Sequence, residues 1–220
     1  GTLTTTGTLA LDSGATFTVD NLSIAGNTTT LNNYSLTTPL NLNGSLSMTG
    51  GSMTHATNTT AQTHILFVSS TSITIGAGAR INVTGMGYRN SGSGPGPGVV
   101  QVGSGGGGGA HGGNGGTKSL GTGGTAYCTV TNIETMGSPG CKVSNATDKS
   151  SGGGLIYLKS AATTTVNGHL QANGQEGLSG ATSVWGGGGG GGIRISARAI
   201  TGTPVSIVAD GGAAAGNSAG

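Results

Sequence analysis

Two kinds of segment alternate along this chain, and the alternation limits the folds open to it. Short tracts place an apolar side chain at every second position, which is the period of a β-strand. Between them lie stretches dominated by glycine, which supplies 49 of the 220 residues. A helical bundle needs Leu, Ala, Glu and Lys at helical spacing, whereas only 6% of the residues are charged and Glu occurs twice. Its five prolines and irregular glycine spacing exclude collagen.

The apolar tracts repeat. The tract from Leu9 to Val19 matches the tract from Ile73 to Val83 position for position at an offset of 64, and a looser copy runs from Val166 to Ala172. Shorter offsets also recur. The pairs at 23 or 24 are Phe17/Leu40, Val19/Leu42, Leu22/Leu46, Ile24/Met48 and Gly26/Gly50, and those at 37 are Ile156/Ile193, Ala172/Ala209 and Gly174/Gly211. Tandem units of strand, bend and strand are typical of repeat architectures.

These repeats favour an all-β fold, a right-handed parallel β-solenoid (β-helix). A short strand cannot bury an apolar face alone, whereas stacked coils bury that face and pair each backbone group with the coils above and below. A coil of about 20 to 24 residues suits three short strands and three bends. A β-sandwich is the alternative, because short strands at intervals of about 8 to 12 residues also describe one. A sandwich does not predict a constant coil length.

Three glycine-rich excursions are expected to leave the solenoid after the final strand of a unit. They begin at Gly85, Gly174 and Gly211, and the first two return to an apolar strand after Gly152 to Gly154 and Gly190 to Gly192. One interpretation is a flexible linker. The other is an ordered arm, because glycine segments in the extended polyglycine II conformation can lie side by side and hydrogen-bond laterally. We expect arms of the second kind.

The expected organisation has three parts. Residues 1–84 form Thr/Ser/Asn-rich solenoid coils, 85–152 form a glycine-rich excursion with a cysteine-containing insertion, and 153–220 form solenoid repeats with glycine-rich arms. Cys128 and Cys141 predict a local disulfide, and hence an oxidising, extracytoplasmic compartment, with two reduced cysteines as the alternative. The absence of an initiator Met indicates a removed signal peptide or an excised piece of a longer protein.

Two kinds of surface feature are candidate sites. Trp185 precedes seven consecutive glycines. If exposed at the root of an arm, its ring could stack on a sugar or a neighbouring subunit, although such a Trp more often covers the flank of a solenoid. Asn-Xaa-Ser/Thr is the acceptor pattern for N-glycosylation. The glycosylation candidates are Asn21, Asn27, Asn33, Asn43, Asn58, Asn82 and Asn145.

Clustered ionisable groups, which catalysis needs, are scarce. Asp12 and Asp20 lie eight residues apart, so a glycosidase-like pair is one interpretation and two solvated carboxylates are the other. The histidines lack metal-ligand spacing, and the glycine runs lack the Lys-Ser/Thr of a phosphate-binding loop. The four histidines are His55, His64, His111 and His169. We therefore expect no enzyme activity, no catalytic residue, no metal site and no cofactor.

A family resemblance supports this interpretation. The run from Gly153 to Gly212, with the upstream tract ITIGAGARINVTGMGY, resembles the large glycine-rich repetitive β-helix proteins of microbial cell surfaces. It is also similar to the Thr/Ser-rich β-helical adhesins and secreted passenger proteins. The resemblance covers most of the chain and consists of composition and repetition. It implies an extracellular structural or adhesive protein, and it carries no catalytic residues onto this chain.

We expect a secreted or surface-displayed structural subunit that self-associates head to tail into a filament, because coil ends present unpaired strand edges. The alternative is a cell-surface or tip adhesin that binds glycans or a host surface. Ice binding through threonine ladders and polysaccharide cleavage are further alternatives. A net charge of +2 supplies no basic face, so we expect no nucleic-acid partner. No apolar run reaches the roughly 20 residues of a membrane span.

Overall fold

The computed structural model describes residues 1–15, 17–89, 92–101, 105–117, 121–141, 150–177 and 185–214. Regular secondary structure in these residues is entirely β, with no helix among them. The strands form three parallel sheets of six, six and four strands and one small antiparallel pair. The all-β, parallel-strand character predicted from the sequence is therefore confirmed.

The strands are numbered in chain order. The first sheet contains β1 (Thr2–Thr5), β3 (Asn21–Ile24), β6 (Ser45–Met48), β9 (Ser72–Ile75), β14 (Thr163–Val166) and β17 (Ala199–Thr201). The second contains β2 (Leu9–Asp12), β4 (Thr28–Asn32), β7 (Ser52–His55), β10 (Arg80–Asn82), β15 (His169–Gln171) and β18 (Ser206–Val208). The third contains β5 (Leu40–Asn41), β8 (Leu66–Ser70), β13 (Leu155–Ser160) and β16 (Gly192–Ser196). The antiparallel pair is β11 (Val100–Gln101) and β12 (Gly105–Gly106).

The chain visits the three sheets in the same order each time. We define a circuit as one strand of the first sheet, then one of the second, then one of the third. Complete circuits are β3–β4–β5, β6–β7–β8, β9–β10–β13 and β14–β15–β16; the pairs β1–β2 and β17–β18 flank them. Neighbouring strands in a sheet therefore come from successive circuits, and each pairs in parallel with its equivalent in the next circuit.

The register confirms the offsets of 24 and 37 and contradicts the offset of 64. Leu22 pairs with Leu46, an offset of 24, and Ile156 pairs with Ile193, an offset of 37. Leu9, however, lies in β2 of the second sheet, whereas Ile73 lies in β9 of the first. The proposed equivalence at an offset of 64 is therefore wrong. Alternating apolar residues beside small bend residues occur in both sheets, so the pattern alone does not identify the sheet.

Ladders of aliphatic side chains from the three sheets form the main core. In the first sheet Leu22, Leu46 and Ile73 follow one another in register, and none is more than 1% exposed. The ladder through Met53, Ile81 and Leu170 does the same in the second sheet, and Leu40, Val68 and Leu158 in the third. The alternation of buried and half-buried positions along β3, β6 and β7 explains why period two was visible in the sequence.

The third sheet is buried on its other face as well. Phe67 of β8 stacks on Tyr157 of β13 with ring centroids 4.2 Å apart, and the Arg194 guanidinium lies 4.5 Å from the Tyr157 ring centroid. A second apolar cluster covers these rings, and Ile133 and Met136 of the long excursion contribute to it. Burial on both faces makes β13 apolar at consecutive positions, as its sequence LIYL indicates.

The two long glycine-rich excursions leave from the same place in their circuits, as the sequence predicts. Residues 83–154 connect β10 to β13, and residues 172–191 connect β15 to β16. Both excursions follow the last strand of a strand–bend–strand pair, which lies in the second sheet, and return to a strand of the third sheet. Glycine segments hydrogen-bond laterally through their backbones, both within the first excursion and between different excursions. Such bonds join Gly108 N to Gly116 O (2.8 Å), Gly109 N to Gly187 O (2.9 Å), Gly153 N to Gly189 O (2.9 Å) and Gly212 N to Gly188 O (2.7 Å).

Close approach of neighbouring backbones explains most of these glycines. An ideal Cβ on Gly115 would lie 2.0 Å from the carbonyl oxygen of Gly108, and one on Gly188 would lie 2.0 Å from that of Ser151. A Cβ on Gly212 would lie 1.9 Å from the carbonyl oxygen of Gln175. None of these three glycines has a positive φ. They are therefore needed because no side chain fits between the segments.

Candidate functional site

The first and second sheets each end in two edge strands, and these edges lie at the two opposite ends of the series of circuits. We call the outer edges of β17 and β18 the β17–β18 face and those of β1 and β2 the β1–β2 face. Within the described residues, each of these four strands is hydrogen-bonded to a neighbouring strand on one side only. An open edge presents backbone N–H and C=O groups that can pair with another strand.

The β17–β18 face exposes aliphatic side chains at core positions. Ile200 is the register partner of Thr164 and is 58% exposed, although Ile73, two circuits earlier in the same ladder, is 1% exposed. Ile207 is 46% exposed, whereas its partner Leu170 is fully buried. Val205, between them, is 59% exposed. Adjacent apolar side chains beside open strand edges are typical of an association surface.

The β1–β2 face carries aliphatic groups on the same ladders. Leu3 of β1 pairs with Leu22, and Leu9 of β2 pairs with Thr29. Both leucines are half-buried and pack against the main core. The two faces are therefore opposite ends of the same side-chain ladders.

A cavity of about 500 Å³ adjoins the β17–β18 face. It lies between the loop of residues 128–133, the glycine segment 191–192 and strand β18, and its lining includes His111, Cys128, Val130, Ile193 and Ile207. Val130 is 92% exposed on the loop that forms one wall. The lining is mainly aliphatic, so the cavity suits an apolar group better than a charged one.

The ionisable groups around this cavity are engaged in structural hydrogen bonds. His111 is 7% exposed, and its Nε2 lies 3.0 Å from the carbonyl oxygen of Thr135. Burial lowers the pKa of His111, which favours the neutral imidazole at pH 7. The Tyr127 hydroxyl donates to the carbonyl oxygen of Met136, and burial raises the pKa of Tyr127. Across the described ranges we find no group of three His, Cys, Asp or Glu side chains able to hold a metal ion.

The predicted disulfide between Cys128 and Cys141 is wrong, because the structure joins neither cysteine to the other. The backbone N–H of Cys128 donates to His111, and its sulfur donates to the carbonyl oxygen of Asn132 at 3.3 Å. Cys141 is 1% exposed, and its N–H donates to Gly107 instead. Both cysteines are therefore held by hydrogen bonds to the stretch of residues 105–117, and each keeps its thiol. Without this disulfide, the two cysteines no longer support the inference of an oxidising compartment.

Of the two interpretations of Trp185, the structure contradicts the exposed binding residue and agrees with a covering role. The side chain is 7% exposed, and its Nε1 is buried with no hydrogen-bond partner. The backbone of Trp185 faces Gly177, whose ideal Cβ would lie 2.0 Å from the Trp185 carbonyl oxygen. The ring is therefore not presented to a sugar. It covers the interior at the start of the glycine segment, which was the simpler of the two interpretations.

The glycosylation candidates differ in accessibility. Asn27, Asn33 and Asn43 are exposed, and the first two have positive φ values of 51° and 58°, as turn asparagines do. Asn21 and Asn82 are half-buried. Asn145 lies outside the described residues. The exposed three remain candidates for modification.

Asn58 is a structural residue. It is 1% exposed, its Nδ2 donates to the carbonyl oxygens of His64 and Met86, and its Oδ1 accepts from the N–H groups of Thr63 and His64. A glycan has no access to this nitrogen in the folded chain. The expectation of a glycosylation site at Asn58 is therefore corrected. The Asn-Xaa-Ser/Thr pattern carries no information about burial, so the sequence alone does not distinguish the buried Asn58 from the exposed Asn43.

The remaining ionisable candidates have separate structural partners. Hydrogen bonds from the Gly14 N–H and the Asn33 amide lower the pKa of Asp12. Asp20 instead binds the amino group of Gly1. The other histidines serve as hydrogen-bonding groups within the stack. His55 Nδ1 lies 2.7 Å from Ala56 O, His64 Nδ1 accepts from Asn33 N at 2.8 Å, and His169 Nδ1 lies 2.8 Å from Ser206 Oγ.

The sequence analysis did not single out Ile200, Val205 and Ile207, the exposed aliphatic residues of this candidate site. The signal that could have found them is the offset of 37 between Leu170 and Ile207, the same offset that pairs Ile156 with Ile193. Following that ladder to its last member identifies a core residue with no strand beyond it in the described structure.

Comparisons with protein-family models, with curated proteins and with solved structures found no match to this chain. Among the described residues, no helix has the length and apolar character that crossing a membrane requires. The function of the chain is therefore inferred from its own geometry.

Proposed function

We propose that this chain is a structural subunit of an extracellular filament or surface fibre. It is built as a right-handed β-solenoid with polyglycine II arms. The fixed order in which the chain visits the three sheets supports the solenoid, because each circuit is then one coil. The lateral hydrogen bonds and close backbone approach of the glycine segments support polyglycine II packing.

One observation carries the proposal, namely the exposure of Ile200 and Ile207 at positions whose ladder equivalents are buried. A coil added to the β17–β18 face would cover both side chains and pair the open edges of both strands. Covering an exposed aliphatic side chain contributes about 1 kcal/mol or more. Addition of successive chains in a constant orientation gives open-ended growth rather than a closed oligomer.

The surface composition supports an extracellular role. Residues 1–79 contain no Lys or Arg, and their charged side chains are Asp12 and Asp20. Glycans on the exposed Asn27, Asn33 and Asn43 would cover this weakly charged surface. Lateral arms would then stiffen the stack and offer further backbone groups for packing.

Sedimentation velocity and electron microscopy test the proposal. The wild-type chain is expected to form higher-order species as concentration rises, and to form linear particles at high concentration. Ile200→Lys combined with Ile207→Lys is expected to remove this association, because charges on the β17–β18 face resist burial. Val99→Lys is the matched control, since Val99 is 53% exposed but lies on the excursion. A wild-type chain that stays monomeric at high concentration would contradict the proposal.

The cavity beside Val130 favours a second candidate function, that of a cell-surface or tip adhesin for glycans or a host surface. Its volume and its exposed rim suit a binding site. A glycan array and binding to host cells, each with Val130→Asp as the control, test it. Binding that Val130→Asp abolishes, by a chain that does not self-associate, would favour the adhesin over the fibre.

A further inference from the structure

The same two ladders of side chains run from the β1–β2 face to the β17–β18 face. The first-sheet ladder runs through Leu3, Leu22, Leu46, Ile73, Thr164 and Ile200. The second-sheet ladder runs through Leu9, Thr29, Met53, Ile81, Leu170 and Ile207. Each ladder therefore has an aliphatic side chain on both faces, Leu3 with Ile200 in one and Leu9 with Ile207 in the other.

We infer that the partner of the β17–β18 face is the β1–β2 face of a second copy of this chain, with β1 beside β17 and β2 beside β18 in the register of the existing pairs. This inference rests on the proposed fibre function and adds the partner, its orientation and its register. It places Leu3 of one copy on Ile200 of the other and Leu9 on Ile207.

The connection between the first-sheet strand and the second-sheet strand, here called the corner, has a similar length in both faces. Leu3 can therefore contact Ile200 while Leu9 contacts Ile207. Leu9 follows Leu3 by six positions, and Ile207 follows Ile200 by seven. Within the stack the same separation is seven between Leu22 and Thr29, eight between Ile73 and Ile81, and six between Thr164 and Leu170. Because neighbouring circuits with corners of six to eight residues already pair in both sheets, the difference between the two faces is no obstacle.

Strand direction and charge favour this orientation. Pairing within the three sheets is parallel throughout the described residues, and head-to-tail addition keeps it parallel. Two β17–β18 faces related by a two-fold axis would instead pair antiparallel strands and stop growth. Strands β17 and β18 contain no charged residue, and Asp12 is the one charged residue in β1 and β2. No like charges therefore face each other between the paired strands.

Outward threonines provide a direct probe of the register. Thr165 and Thr201 are in register, and their Oγ1 atoms lie 2.9 Å apart. The proposed contact would place Thr4 of the second copy beside Thr201 in the same way, because Leu3 aligns with Ile200. Thr4 and Thr201 are exposed, so cysteines at these two positions leave the core unchanged.

Cross-linking between two single-site variants tests the inference. Thr4→Cys and Thr201→Cys proteins, each with Cys128→Ser because Cys128 is partly exposed, are mixed and oxidised mildly. The control mixes Thr2→Cys with Thr201→Cys. Neighbouring strands lie about 4.8 Å apart, and a shift of two residues moves the Cα atoms to about 8 Å, outside disulfide range. We expect at least about tenfold more cross-linked dimer from the in-register mixture.

The outcomes separate the inference from the fibre function. Equal yields from the two mixtures, or a dominant homodimer of Thr201→Cys, would overturn the inference; filaments of the same proteins seen by microscopy would then leave the fibre function standing. Absence of both cross-links and sedimenting oligomers would overturn both. Cross-linking that follows register and rises with concentration would support both.

Discussion

The stacked sheets and the glycine-rich segments achieve close packing in different ways. In the sheets, side chains such as Leu46 and Ile73 fill the space between strands and are at most 1% exposed. In the glycine-rich segments, the backbones of Gly115 and Gly108 approach so closely that even a Cβ would collide. Stability therefore depends on side-chain volume in one region and on its absence in the other. Substitutions of opposite kinds should damage the two regions.

Truncation of a ladder residue should have the largest effect. Leu46 is fully buried between Leu22 and Ile73, so Leu46→Ala removes three carbons and leaves a cavity that the parallel sheet cannot close. We expect the free energy of unfolding to fall by about 4 kcal/mol, measured by urea denaturation. Ser47→Ala, on the next and half-buried position of β6, is the control and should change it by less than about 0.5 kcal/mol. Equal effects at the two positions would contradict an inward ladder at Leu46.

Acid should weaken the sheets through His55. This residue is 1% exposed in register with Leu31, and desolvation lowers the pKa of its imidazole to about 4. Because this folded pKa lies below the unfolded value, the unfolded chain takes up the proton first as the pH falls. Stability attributable to neutral His55 is therefore complete above about pH 6.5 and is lost towards pH 4, where the loss reaches about 3 kcal/mol.

His55→Leu isolates this contribution, since leucine continues the ladder from Leu31 without a proton to gain. The difference between wild type and variant in free energy of unfolding should grow in favour of the variant as the pH falls from 7 to 4. Parallel stability curves for the two proteins over that range would show that the buried imidazole does not drive acid unfolding.

Adjacent glycines offer the sharpest test of the glycine-rich region. A Cβ on Gly115 would meet Gly108 O at 2.0 Å, whereas a Cβ on Gly116 would meet no atom within 4 Å. Gly115→Ala should force the segments apart and lower the free energy of unfolding by about 2 kcal/mol. Gly116→Ala should be neutral or should stabilise by about 0.5 kcal/mol, because alanine restricts the unfolded chain.

Hydrogen exchange of the Gly109 and Gly124 amides, which bond to neighbouring segments, would locate the effect. Faster exchange in Gly115→Ala but not in Gly116→Ala is expected. If both alanines are tolerated equally, the region is held loosely and close packing is not the reason for its glycines.

The sequence predicted the sheets better than the site. Period-two tracts and the offsets of 24 and 37 predicted parallel pairing, because ladder positions such as Leu22 and Leu46 demand the same kind of side chain in successive circuits. The offset of 64 failed because an apolar alternation records burial but not which sheet provides it. The position of the excursions was predictable, because a glycine-rich stretch follows the last apolar strand of each of the two units.

Site residues were harder to predict because burial is a tertiary property. A tryptophan beside seven glycines left an exposed and a covering position open, and the neighbouring backbones enclose Trp185 to 7% exposure. The spacing of Cys128 and Cys141 suggested a bridge, yet the structure joins neither cysteine to the other, and the backbone N–H groups of the two residues donate to His111 and Gly107. In each case the deciding contact comes from a segment distant in sequence.

The smallest effect is expected where the two regions meet. Glu134 of the long excursion lies 3.1 Å from Arg194 of β16, and both side chains are partly exposed, at 45% and 35%. Such a pair contributes about 0.5 kcal/mol at low salt, because water screens it. Glu134→Gln should therefore lower the free energy of unfolding by about that amount in low salt and by less in 0.5 M NaCl, by roughly half. Arg194→Met with Glu134→Gln completes a double-mutant cycle. A coupling above about 2 kcal/mol would mean that charge, rather than the apolar contacts of Ile133 and Met136, attaches the excursion to the third sheet.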